Sequence, residues 1–94
     1  MVINMAFNKD KRLELEDDTI VFDNPNFDNS IIGITTDGKA VYDYEKMVAE
    51  LMEDDHISEQ EAIDFIEYNT IRAIPYAGEM APIVMFTFKE GIYG

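Results

Sequence analysis

Between Asp43 and Glu67 the chain packs ten carboxylates and a single Lys46 around a set of spaced apolar residues. A stretch with a net charge of −9 folds only if its backbone separates the two kinds of side chain. The α-helix does so here. Tyr44, Met47, Val48 and Leu51 fall at i, i+3, i+4 and i+7, on one face. Glu45, Glu50, Glu53 and Asp54 are left largely on the other. Asp43 is placed to cap this first helix. A second helix begins at Ser58, where Ser58 and Glu61 read as a capping box and Ile57 can staple onto Ala62. Its inward stripe is expected to be Ala62, Phe65, Ile66 and Asn69. Pro75 should stop it, with Ile74 pushed toward extended backbone.

The flanking segments read as strands. Thr19–Phe22 is β-branched and aromatic, and Asn24-Pro25-Asn26 turns the chain after it. Ser30–Thr35 and Lys39–Tyr42 are separated by Thr36-Asp37-Gly38, a hairpin signal because Gly accepts the positive φ that tight turns require. After a Tyr76-Ala77-Gly78 turn, Pro82 opens Ile83–Phe88, whose near-continuous apolar run predicts a buried strand. Val2, Met5 and Phe7 read either as a short edge strand or as a frayed end. The expected fold is α+β: a small, mainly antiparallel sheet in β-β-β-α-α-β order, with two helices packed on one face. A single domain over 1–94 is expected, with 1–17 and 90–94 loosely held.

The whole chain carries 20 acidic and 7 basic residues, a net charge of −13, and 47% apolar residues. Disordered acidic chains lack that apolar content. Such a charge repels nucleic acid and phospholipid and favours basic partners. The absence of cysteine excludes disulfides, thiolate metal sites and cysteine nucleophiles. No apolar run is long enough for a signal segment or a membrane span, so a cytoplasmic protein is expected.

No catalytic or metal motif is specific. Aligned to a calcium loop, Glu50–Glu61 puts Met52 where an oxygen ligand belongs and Asp55 where glycine is required. His56, the single histidine, lacks a visible partner for general-base work. Asp17, Asp18, Asp23, Asp28 and Asp37 lie at strand ends and turns; paired carboxylates can bind a divalent ion or serve as acid and base, but turn chemistry accounts for most of them more simply. No cofactor is expected. Carboxylates three or four residues apart on a helix lie about 5–6 Å from one another. That approximates the separation of phosphates along a nucleic-acid strand. The candidate partner-binding face is therefore Glu45, Glu50, Glu53, Asp54, Asp64 and Glu67. Tyr68, Arg72 and Tyr76 form a second candidate, with the composition of a binding hot spot. Arg72 is expected to take a carboxylate or helix-end carbonyls as its partner.

The stretches Asp37-Gly38-Lys-Ala-Val-Tyr42-Asp-Tyr44 and Glu61-Ala-Ile-Asp-Phe-Ile-Glu-Tyr-Asn-Thr-Ile-Arg-Ala-Ile-Pro-Tyr76 resemble a family of small acidic proteins of bacteria, their phages and mobile elements. The resemblance covers roughly residues 20 to 86 and brings no catalytic residue. It implies a phage-like setting, in which small acidic proteins block nucleic-acid-binding host defences. The leading expectation is a non-enzymatic, nucleic-acid-mimicking inhibitor of a basic partner such as a CRISPR effector. The alternatives are a structural or housekeeping module of a mobile element, with contacts through Tyr68, Arg72 and Tyr76, and a small metal-binding protein or enzyme. Self-association through the C-terminal strand is also open.

Overall fold

The structure, a computed structural model, describes Leu15 and residues 18–88. The expectations for Val2, Met5, Phe7 and residues 90–94 lie outside the described residues. A short 3-10 turn, Asp28–Ser30, leads into strand β1 (Ile31–Ile34) and then β2 (Ala40–Asp43). Helices α1 (Tyr44–Asp55) and α2 (Glu59–Phe65) follow. A wide π-type turn (Ile66–Thr70) and a 3-10 turn (Ile71–Tyr76) carry the chain to strand β3 (Ile83–Met85).

The hairpin forms as its turn chemistry requires. Gly38 adopts φ +95°, its N–H donates to the Thr35 carbonyl, and Thr35 N–H donates to the Lys39 carbonyl at 2.8 Å. The Thr35 hydroxyl accepts from Lys39 N–H and bonds the Asp37 carboxylate, so the tip is held by its own side chains. That hydroxyl, with Lys39 nearby, holds the Asp37 carboxyl below its usual range. A bulge between Ile31 and Gly33 leaves Ile32 outside the ladder.

The sheet is mixed rather than mainly antiparallel. β1 and β2 are antiparallel, but β3 lies parallel to β2 on its other side, in the order β1-β2-β3. The helical pair acts as the crossover that a parallel neighbour needs. The order among the described residues is thus β-β-α-α-β, because Thr19–Phe22 is not a strand. Its place is taken by a loop pinned through side chains. Phe22 N–H donates to the Tyr42 hydroxyl at 3.0 Å, and the Phe22 ring packs on Tyr42 and Phe27. The Asn24-Pro25 peptide that follows is cis.

The core joins Phe27, Ile31, Ala40, Tyr42 and Tyr44 to Met47, Val48, Leu51, Ala62 and Ile66. α1 supplies the four residues its spacing selects, and packs on β2 and on the 28–30 turn. The Asp43 carboxylate caps it by accepting from Glu45 N–H, and His56 ends it at φ +55°. In α2 both halves of the Ser58/Glu61 capping box are made, and Ile57 packs against the core beside it.

Three C-terminal expectations are corrected. The inward stripe of the second helix is Ala62, Ile66 and Thr70, with Phe65 and Asn69 exposed. The π turn, with about one extra residue per turn, rotates Thr70 under Ile66. Pro75 does not end the helical path, and Ile74 is not extended: both lie within the 3-10 turn, whose φ a proline ring matches. The reversal then comes later than expected, at Gly78–Ala81, with Gly78 at φ +96° and Ala81 N–H donating to the Gly78 carbonyl. Finally, the Ile83–Phe88 run is not a buried strand. Only Ile83–Met85 joins the sheet, at its edge, and Ile83, Met85, Phe86 and Phe88 are exposed.

Candidate interaction surface

The six carboxylates expected to form one face divide by what they touch. Glu53 and Asp54 are exposed on α1, with no hydrogen bond or ion pair to a described residue, as are Asp55 and Glu59 beside the interhelical turn. Glu45 is exposed in the first turn of α1, where a carboxylate is favoured by the helix dipole. Asp64 is exposed and accepts from the Gln60 amide at 2.9 Å. Glu50 departs from expectation. It turns toward the 28–30 turn, accepts from the buried Ser30 hydroxyl at 2.8 Å and reaches Asn29 N–H at 3.4 Å. Glu50 is therefore a structural tie, not part of a free acidic face.

Glu67 is exposed but also engaged, accepting a 2.7 Å hydrogen bond from the Tyr44 hydroxyl. Burial, then this bond and the charges of Glu67 and Asp64, push the Tyr44 phenol up to about 12. The contact sets the end of α2 against the start of α1, so the acidic residues occupy both ends of an antiparallel helix pair. Among the described residues one ion pair forms, Lys39 with Asp37 in the hairpin. Glu53, Asp54, Asp55 and Glu59 thus form no ion pair with a described residue.

The second candidate set separates as well. Arg72 takes no carboxylate among the described residues; its guanidinium lies 4.7 Å above the Tyr68 ring. Such a stack stabilises by about 0.5–1 kcal/mol at an exposed site. Together with Asp64 and Glu67 the pair lines a shallow groove of about 450 Å³. Tyr76, 90% exposed, lies outside that lining, so it is not joined to the other two. Asn69 bonds the Phe65 carbonyl within its own helix rather than tying helix to turn.

Sequence reasoning missed Phe86. Its ring stacks on Tyr44 at 4.7 Å between centroids yet remains 68% exposed. A run of apolar residues signals burial, and only the parallel edge position of β3 reveals that this one faces outward.

The described carboxylates do not converge: Glu50 and Glu61, the ends of the loop tested for calcium, bond Ser30 and Ser58 respectively. Among the described residues no group of three His, Cys, Asp or Glu is placed to hold a metal ion. No helix of the described residues is long and apolar enough to cross a membrane. No protein family, curated protein or solved structure matches the chain.

Proposed function

We propose that this chain is a non-enzymatic interaction protein whose acidic helical layer engages a basic partner that itself binds nucleic acid. The observation that carries the reading is the exposed set Glu53, Asp54, Asp55 and Glu59, with no described cation beside any of them. Like charges so close destabilise a helix, and of the four only Glu59, in the first turn of α2, is favoured by a helix dipole. A partner with Lys and Arg in a groove would supply the missing neutralisation, with fast, salt-sensitive association. In the phage-like setting that the family resemblance implies, the partner is a host defence enzyme and this chain its inhibitor, occupying the nucleic-acid groove.

The test is capture from a host lysate on the immobilised chain at low and high salt, beside a Glu53→Lys, Asp54→Lys, Asp64→Lys triple variant. A captured protein that is basic, elutes with salt and is lost with the triple variant supports the reading. Capture indifferent to both overturns it.

The Arg72–Tyr68 stack favours a second reading, a binding module that docks through its 450 Å³ groove. Under that reading Tyr68→Ala and Arg72→Ala abolish capture, while the charge reversals leave it intact.

A further inference from the structure

We infer that the groove at the π turn seats a single arginine side chain of the basic partner proposed above, on which the assignment rests, and that Arg72 fills the seat in the free chain. The groove is lined by Asp64, Glu67, Tyr68 and Arg72. It combines an aromatic face with two carboxylates, the features that hold a guanidinium. The ring attracts the cation through its quadrupole, and a carboxylate accepts two parallel N–H bonds. The chain itself shows half of this fit, since the Arg72 guanidinium lies 4.7 Å above the Tyr68 ring.

The other half is left unmade. Arg72 forms no ion pair with Asp64 or Glu67, and no hydrogen bond to a described residue. Among the described residues Asp64 accepts one bond, from Gln60, and Glu67 one, from Tyr44. An ionised carboxylate has about four lone-pair sites, so both keep capacity for an incoming donor.

Charge and shape select the occupant. The lining carries two negative charges against one positive, so a cation is favoured over an anion even with Arg72 in place. Arginine suits it better than lysine, because an ammonium is a point charge without a plane to lie on Tyr68. Arg72 is exposed and held by a weak stack. An arginine that also pairs with a carboxylate therefore displaces it.

Titration of the full chain with tri-arginine and tri-lysine peptides tests this, with Tyr68 ring and backbone amide resonances followed by NMR. The expected result is saturable shifts at Tyr68, with tri-arginine bound more tightly than tri-lysine. Arg72→Gln is expected to tighten tri-arginine binding by about two- to fivefold, the stack no longer having to be broken. Lys46→Gln makes the same charge change at an exposed position of α1, and is expected to tighten it less. Tyr68→Leu is expected to weaken it by about two- to fivefold. Unchanged circular dichroism establishes that the variants fold. No shift at Tyr68, equal binding of the two peptides, or a gain in Arg72→Gln no larger than in Lys46→Gln overturns the assignment. Binding lost in a Glu53→Lys, Asp54→Lys variant yet indifferent to Tyr68→Leu also overturns it, while the acidic-layer reading stands. The reverse pattern, peptide seated at Tyr68 but no basic protein captured from lysate, supports the seat and removes the partner proposed above.

Discussion

The Tyr44 hydroxyl donates to the Glu67 carboxylate at 2.7 Å, joining the first residue of α1 to the π turn that ends α2. This bond adds to the core packing that joins the two helices and removes Glu67 from the freely solvated carboxylates. A hydrogen bond to a charged group contributes about 1.5–3 kcal/mol. Tyr44→Phe should therefore lower the unfolding free energy by about 1–2 kcal/mol, since Glu67 can recover water. Urea denaturation at neutral pH measures it.

The same bond sets an alkaline limit. The folded phenol titrates at about 12, above its ordinary value of 10. A raised acid stabilises the fold fully below the unfolded value and loses that contribution as pH rises from 10 toward 12. Stability of the wild type should fall through that window, and Tyr44→Phe should show a shallower fall. Chemical denaturation at stepped pH, with the tyrosine absorbance followed alongside, reads both.

Glu50 offers a control that separates structure from recognition. Its carboxylate accepts from Ser30, which is fully buried, so removing it leaves a buried hydroxyl without its acceptor. Glu50→Ala should cost about 1–3 kcal/mol, and Glu50→Lys at least as much. Glu53→Lys and Asp54→Lys, on exposed carboxylates with no described partner, should change stability by no more than about 0.5 kcal/mol. Equal losses at all three positions in thermal melts would show that Glu50 is no more tied than its neighbours.

Much of this was legible in the sequence where a local rule decides alone. The Ser58/Glu61 box, the Asp43 cap and the Gly38 turn depend on residues within four positions of one another, and all three formed as their chemistry requires. So did the inward face of α1. What failed depended on tertiary placement. Phe22 has strand propensity, yet its amide finds the Tyr42 hydroxyl, twenty residues away. The Ile83–Phe88 run is apolar enough for a core, yet β3 takes the position beside β2 with no described strand beyond it. Helical periodicity placed Phe65 and Asn69 inward; no sequence signal marks the π turn that displaces Asn69, and Phe65, the last residue of α2, is exposed ahead of that turn. At the candidate surface, spacing alone grouped Glu50 with Glu53; only the position of Ser30 shows that they do different things.

The capping box is a local device with a measurable worth. Ser58 Oγ accepts from Glu61 N–H at 3.1 Å and the Glu61 carboxylate accepts from Ser58 N–H at 2.9 Å. Ser58→Ala should cost about 1 kcal/mol, and Ser58→Asp should restore most of it because aspartate caps equally well. Urea midpoints of the two variants decide the matter. An equal loss in both would mean that the hydroxyl, not the capping bond, is what α2 requires.

Gly38 tests the hairpin in the same way, and isolates backbone from packing. At φ +95° any side chain is strained, yet a Cβ there would meet only the Met80 methyl, at an ordinary 3.5 Å. Steric crowding is thus excluded as a cause of loss. Gly38→Ala should cost about 1 kcal/mol or more through backbone conformation alone, whereas Gly38→Asn, which tolerates positive φ better, should cost less. If alanine and asparagine destabilise equally in denaturation experiments, the turn does not hold Gly38 in this conformation in solution. If alanine alone is costly, the hairpin that joins β1 and β2 is locked at its tip, and their antiparallel register is set there.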